Sequence, residues 1–125
     1  MKYYLSLGSN INPESNLELA ISALNKILTQ TKCSSVHKTQ AEGFDGDDFL
    51  NLIFYGVSSL SFEDLNRKLK DIEDSSGRNR NVEKFSSRTL DIDIVLQLND
   101  EEEILFESDE IVKYRFVSEP LQELL

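Results

Sequence analysis

The sequence predicts an α+β fold in which two helices cover one face of an antiparallel sheet. Two segments, 49–57 and 90–98, show the period-two alternation that is typical of strands with one buried face. Two others, over about 13–30 and between Ser61 and Gly77, space their apolar residues as a helix with one buried stripe does. A chain of 125 residues that is 39% hydrophobic has the size and apolar content of one domain, 1–125.

Both helices have a start signal, and the second also has a stop signal. Asn12 before Pro13 is typical of a helix start, and Ser61 is a capping residue for the second helix, which Gly77 is placed to end. The remaining elements are strands at 2–7, 33–39, 104–106 and 114–117, with a helical or irregular end at 120–125. The order β-α-β-β-α-β with a short C-terminal β appendage is that of a ferredoxin-like fold, whose second sheet face is free to bind ligands.

Charge and cysteine content exclude several classes of protein. The net charge of -10 lacks the basic footprint expected of a nucleic-acid binder. Cys33 is the only cysteine, so neither an intrachain disulfide nor a zinc pattern is possible. The apolar runs are far too short to span a membrane, and no secretory signal precedes the first strand. We expect a cytoplasmic monomer that binds neither nucleic acid nor membranes.

Asp91 and Asp93 in the 90–98 strand predict a metal site. If the Leu and Ile residues of this strand face the core, the two carboxylates point out of the opposite face, about 7 Å apart. Mg²⁺ commonly binds one or two carboxylates together with waters and substrate phosphates. The preceding segment is basic and suits an anion, with Arg78, Arg80, Lys84 and Arg88 against Glu83. The alternative is an ordinary solvated strand face with two surface acids.

Other polar residues also have alternative interpretations. Asn51, in an apolar strand, either satisfies backbone groups or reads the donor–acceptor edge of a ligand. His37, the only histidine, is expected to be an exposed strand residue. The spacing of Asp45, Asp47 and Asp48 does not fit an EF-hand loop, so we do not expect calcium there.

Five motifs occur in one order along the chain. They are 5–10 (LSLGSN), Thr39 with Gly43, 49–51 (FLN), 72–73 (IE) with 77–80 (GRNR), and 88–94 (RTLDIDI). Together they resemble the 6-hydroxymethyl-7,8-dihydropterin pyrophosphokinase family of folate biosynthesis. The resemblance spans residues 3 to about 121, and its specificity comes from the ordered set rather than from any one motif.

The resemblance implies a ferredoxin-like fold and the transfer of pyrophosphate from ATP to the hydroxymethyl oxygen of the pterin, which gives AMP and the pterin diphosphate. It also implies that two Mg²⁺ ions bind at Asp91 and Asp93, that Phe49 and Phe116 sandwich the pterin ring, and that Asn51 reads its edge. The implied catalytic residues are Arg78 and Arg88. The implied substrate-binding residues are Gly8, Gly43, Phe49, Asn51 and Phe116, and the implied nucleotide-binding residues are Glu73, Arg80, Arg88 and Arg115.

The sequence departs from the family pattern on the nucleotide side. The family usually has a Pro-His pair after the Asp strand, whereas 106–110 (FESDE) has no His and carries acids that repel phosphate. Arg115 stands one place closer to Phe116 than the usual Arg, and Lys70 takes a place often held by Gln. A degenerate paralogue that binds pterin or nucleotide without efficient turnover is therefore the alternative. An RNA-binding or interaction module is disfavoured by the net charge.

Overall fold

The structure, a computed structural model, describes residues 1–39, 48–77 and 90–125. In these ranges every strand pairing is antiparallel, and the strands form one sheet in the order β2-β4-β1-β5-β6, with β3 also paired to β4. The α+β class is therefore confirmed. The strands are β1 Lys2–Ser9, β2 Thr29–Cys33, β3 His37–Thr39, β4 Phe49–Val57, β5 Asp91–Leu98 and β6 Ile104–Glu107, and the helices are α1 Pro13–Ile27, α2 Phe62–Ser75, α3 Glu110–Lys113 and α4 Arg115–Leu124.

The main core lies between one face of the sheet and helices α1 and α2. Leucines spaced along one side of each helix are buried against inward-facing residues of the three central strands. The alternation predicted for β4 is confirmed, because Leu52 and Phe54 lie in this core while Ile53 lies in a second core on the opposite face. None of the helices within the described ranges is long and apolar enough to cross a membrane.

The limits of α2 follow the predicted signals. The Ser61 hydroxyl accepts a hydrogen bond from the Asp64 backbone N–H at 3.2 Å, as an N-cap does. Gly77, which follows the helix, has φ of +84°, a conformation that side-chain-bearing residues rarely adopt. Both predicted signals are confirmed.

Helix α1 ends at Ile27, three residues before the predicted end. Leu28 has an extended backbone and packs on Gly56 of β4, where an added Cβ would lie only 2.7 Å from the Leu28 Cβ. Thr29–Cys33 then forms the edge strand β2, which includes the β-branched Thr29 and Thr31. Packing of Leu28 on Gly56 thus turns the chain out of the helix, where apolar periodicity alone predicted that it would continue.

Strand β5 contains an irregularity that the alternation did not predict. Its pairing with β1 shifts register, since Leu5 faces Ile94 whereas Tyr4 faces Leu96. Ile94 therefore lies in the α1/α2 core, but Val95 and Leu96 both lie in the second core. A β-bulge of this kind puts the rest of the strand on the other face. The prediction that all the Leu and Ile residues of 90–98 share one face was wrong beyond Ile94.

The C-terminal segment is helical and covers part of the second sheet face. The strand predicted at Tyr114–Val117 was wrong, because Arg115–Leu124 forms α4, whereas the strand at 104–106 and the helical end are confirmed by β6 and α4. Val117 and Leu121, four residues apart, are buried against Ile53 and Val95. The expectation that this face is free to bind ligands was wrong for the half that carries these apolar residues, because α4 packs on it.

Candidate functional site

Three predicted site residues lie in one row across the sheet. Gly8 of β1 pairs with Asn51 of β4 on one side and with Asp91 of β5 on the other. Directly opposed residues project from the same face, so Asn51 and Asp91 share the α4 side of the sheet, about 10 Å apart across two strand spacings. Ser6 likewise pairs with Asp93, which places the second carboxylate on the same face one step along the strand.

The Asp93 carboxyl group has a pKa well above its ordinary value. Its pKa is raised from 3.8 to about 7, first by burial and next by the charge of Asp91, while the Lys70 ammonium opposes the increase. The charges of Glu110 and Glu73 make smaller contributions to the same increase. Glu110 belongs to the acidic segment 106–110, which we predicted to repel phosphate, and its charge adds negative potential at this site. The aspartate pair is therefore a place where a cation is favoured.

Helix α2 holds the strand residue between the two aspartates. The Ile92 backbone N–H donates to Glu73 Oε2 at 2.7 Å, and the Ile92 carbonyl accepts from Lys70 Nζ at 3.2 Å. Strand β6 pairs with Leu96–Leu98 and does not extend to Ile92, whose backbone groups bond to these side chains of α2. Lys70 Nζ also lies 3.1 Å from Glu73 Oε2 and 3.6 Å from Asp93 Oδ1.

Glu73 is fully buried, with an exposed fraction of 0%. In the structure it satisfies a backbone group of β5, a contact that its predicted role at the nucleotide did not include. The contact between Lys70 and Asp93 was also missed. The one sequence signal for it was the spacing of Lys70 and Glu73, which puts both on one face of α2.

The Asn51 amide is buried and oriented by its neighbours. Its Nδ2 donates to Thr39 Oγ1 at 2.9 Å, and a Cβ placed on Gly8 would lie 3.0 Å from its Oδ1. Gly8 is therefore needed for the close approach of this amide to β1. Phe49 lies beside the same glycine, with Cδ1 4.0 Å from that Cβ position, so the ring and the amide border one small area of the sheet.

The predicted residues of the C-terminal segment lie on α4. Phe116 is partly buried against the second core and stacks on Tyr114, with ring centroids 4.9 Å apart and planes at 20°. The Arg115 side chain is 92% exposed and pairs with Glu119. Four further predicted residues, Gly43, Arg78, Arg80 and Arg88, lie outside the described residues, as do Asp45 and Asp47.

His37 has partners, in contrast to the exposed residue that was expected. Glu123 of α4 accepts from the Ser35 N–H and hydroxyl, each at 2.8 Å, and its Oε2 lies 2.6 Å from His37 Nε2. We call this cluster of Ser35, His37 and Glu123 the edge clasp. Ser35 and Glu123 both approach the same ring nitrogen of His37, whereas a catalytic triad uses both ring nitrogens. The edge clasp therefore does not have the geometry of a triad. It links α4 to the edge of the sheet.

Comparison with known proteins places the chain in a family. A family model described as 7,8-dihydro-6-hydroxymethylpterin-pyrophosphokinase (HPPK) matches residues 4–125. The chain belongs to this family. The resemblance inferred from the ordered motifs is thus confirmed.

Curated relatives agree with this assignment. A 2-amino-4-hydroxy-6-hydroxymethyldihydropteridine pyrophosphokinase of Aquifex aeolicus is 32% identical over 94% of this chain and 68% of its own length. A protein of the same name from Synechocystis is 36% identical over 73% of this chain and 48% of its own length. The Folate synthesis bifunctional protein of Arabidopsis thaliana is 29% identical over 97% of this chain and 26% of its own length. The chain thus spans 48% of the Synechocystis protein and 26% of the Arabidopsis protein.

Proposed function

We propose that this chain transfers pyrophosphate from ATP to 6-hydroxymethyl-7,8-dihydropterin in folate biosynthesis, giving AMP and the pterin diphosphate. HPPK family membership supports the activity. The observation that carries the assignment of the site is the shared row of Asn51, Gly8 and Asp91, with Asp93 one step along the same face. The family match and the curated pyrophosphokinase relatives give no support to the degenerate alternative.

Asp91 and Asp93 are the proposed magnesium ligands. Two carboxylates on one strand face, one of them with a pKa raised in part by the other, form an oxygen donor set that a divalent cation fits. In the described residues no third His, Cys, Asp or Glu joins them, so the remaining ligands would be water and substrate phosphate oxygens. Bound Mg²⁺, for which we expect two ions with ATP, would neutralise polyphosphate charge.

The pterin is proposed to bind beside β4. The Asn51 amide offers a donor and an acceptor to the pterin edge, and Gly8 leaves room for that amide. The Phe49 and Phe116 rings are proposed to stack on the two faces of the pterin. Because Phe116 stacks on Tyr114, only its other face is available unless the pair separates. Gly43 remains a predicted contact.

The polyphosphate is proposed to meet arginines on the basic segment. Arg78 and Arg88 would offset the charge that develops during transfer, and Arg80 and Arg115 would contact the nucleotide, since the planar guanidinium matches phosphate oxygens. Glu73 remains proposed for the nucleotide side. Its contact with Ile92 also supports a role in fixing the strand between the two aspartates.

The strand order, with β1 between β4 and β5, also supports a ferredoxin-like arrangement. We further propose a single domain that acts as a cytoplasmic monomer and binds no nucleic acid. These points stay predictions.

The test is AMP formation from ATP with the hydroxymethyl pterin and Mg²⁺. We expect AMP release that requires all three, and Asp91→Asn or Asp93→Asn to lower it about 100-fold or more with the fold intact. Asp71→Asn on the exposed side of α2 removes one carboxylate elsewhere and serves as the control. No AMP above background at high enzyme concentration would refute the activity, and pterin binding without turnover would then favour the degenerate alternative.

A further inference from the structure

We propose that the Lys70 ammonium competes with divalent metal ions at the aspartate pair, because it already serves Asp93 as a cation. The pair then binds a metal ion weakly until polyphosphate oxygens supply further ligands and negative charge. This inference rests on the proposed function, specifically on the metal-binding role of Asp91 and Asp93, and it adds Lys70 as a residue that regulates metal binding.

Lys70 is anchored, unlike an ordinary surface lysine. Its Nζ is within hydrogen-bonding distance of Glu73 Oε2, at 3.1 Å, and of the Ile92 carbonyl, at 3.2 Å. Only 33% of its side chain is exposed. An exposed lysine loses side-chain entropy when it holds one position. Here hydrogen bonds to two further acceptors offset that loss. The ammonium is therefore kept 3.6 Å from Asp93 Oδ1.

The anchors of Lys70 are independent of Asp93. Strand β6 does not extend to Ile92, which pairs with Leu7 of β1, and Lys70 and Glu73 bond to the carbonyl and N–H of Ile92. Glu73 is buried, so it needs a compensating charge, which Lys70 supplies. Lys70 is thus held near the carboxylate for a structural reason, and its charge remains there whether or not a metal ion is present.

The charges around Asp93 give Lys70 its proposed effect. Asp91, Glu110 and Glu73 all add negative potential at Asp93, which favours a cation. The nearby ammonium partly offsets this potential, and it repels a second cation at the same carboxylate. A polyphosphate adds several negative charges and oxygen ligands, which outweigh one ammonium. Metal ions would accordingly bind mainly together with the nucleotide.

The test is a titration of the nucleotide-free protein with Mn²⁺, in which free Mn²⁺ is followed by electron paramagnetic resonance. Lys70→Gln keeps N–H donors but removes the charge, and we expect it to bind Mn²⁺ about three- to tenfold more tightly than wild type. Lys70→Arg keeps the charge and should stay close to wild type. Lys68→Gln, an exposed site on the same helix, is the matched control and should also stay close.

A gain in affinity in Lys70→Gln is a result that structural damage does not produce. If Lys70→Gln binds Mn²⁺ no more tightly than wild type, including the case in which neither binds, the inference is overturned. Asp91→Asn separates this outcome from a failure of the proposed function. If Asp91→Asn binds Mn²⁺ as wild type does, the metal assignment fails and the inference with it. If Asp91→Asn loses Mn²⁺ while Lys70→Gln gains nothing, only the inference fails.

Discussion

Replacing Asp93 by Asn should stabilise the metal-free protein at neutral and alkaline pH. The pKa of Asp93 is raised from 3.8 to about 7 in the folded chain, so the unfolded chain releases this proton first as the pH rises. Between about pH 4 and pH 7 the folded state therefore binds more protons, and this group lowers the free energy of unfolding as the pH increases. Asparagine has the shape of the carboxyl group without its charge, so Asp93→Asn removes the penalty.

The size of the effect follows from the pKa and the exposure of the side chain. A fully buried carboxylate with this pKa would cost the folded state about 4 kcal/mol above pH 7. The Asp93 side chain is 40% exposed, and solvent screening reduces the expected cost to about 1–2 kcal/mol. For a chain of 125 residues this corresponds to a rise in melting temperature of about 4–10 °C.

The assay is thermal unfolding followed by circular dichroism in EDTA, at pH 4 and at pH 8. We expect Asp93→Asn to melt above wild type at pH 8 and close to it at pH 4. Asp71→Asn, which changes the net charge equally at an exposed position, is the control for general charge effects. An equal gain at both pH values, or a gain at pH 8 no larger than that of Asp71→Asn, would refute the electrostatic reasoning.

Three further predictions concern other parts of the site and fold. Gly8→Ala adds a Cβ 3.0 Å from Asn51 Oδ1, so calorimetric titration should show pterin binding weakened about tenfold, and unchanged affinity would contradict the proposed role of Asn51. The Ser35 backbone N–H lowers the pKa of Glu123 from 4.5 to about 2, so the stability it contributes is present above pH 4.5 and lost as the pH falls toward 2. In Glu123→Gln, melts between pH 2.5 and 6 should lose less stability on acidification than wild type, and parallel curves would exclude the edge clasp as the cause. Ser61→Ala should lower the free energy of unfolding by about 1 kcal/mol in urea, and a change near zero would show that the cap contributes nothing.

Local signals predicted the elements that they control directly. The bounds of β4, Phe49–Val57, agree with the prediction, and its two faces do as well, because alternation along a central strand reflects burial on each side. The start of α2 at the Ser61 cap was also correct. The segment Tyr114–Val117 misled the prediction because aromatic and β-branched residues favour strands, whereas Val117, Pro120 and Leu121 form the buried side of a helix.

The candidate site was predictable as a set of residues but not as an arrangement. Asp91 and Asp93 share a face because strand geometry alone places them there. Their alignment with Asn51 depends on how β1 pairs with both neighbouring strands, which one sequence does not specify. The contact of Lys70 with Asp93 joins a helix to a strand and has no local signal beyond the Lys70–Glu73 spacing. The bulge did leave a trace, since Ile94, Val95 and Leu96 are three consecutive apolar residues in an otherwise alternating strand.

Because of that bulge, the two halves of β5 bury their Leu and Ile side chains on opposite faces of the sheet. The first half carries the aspartates and buries Ile92 and Ile94 under α2, while the second half buries Leu96 and Leu98 under α4. A deletion of Val95 would restore plain alternation. The strand residues after it would then turn to the opposite face of the sheet, although no residue of the site would change. The number of residues in this strand therefore decides which face the C-terminal half buries, independently of the aspartates that the first half carries.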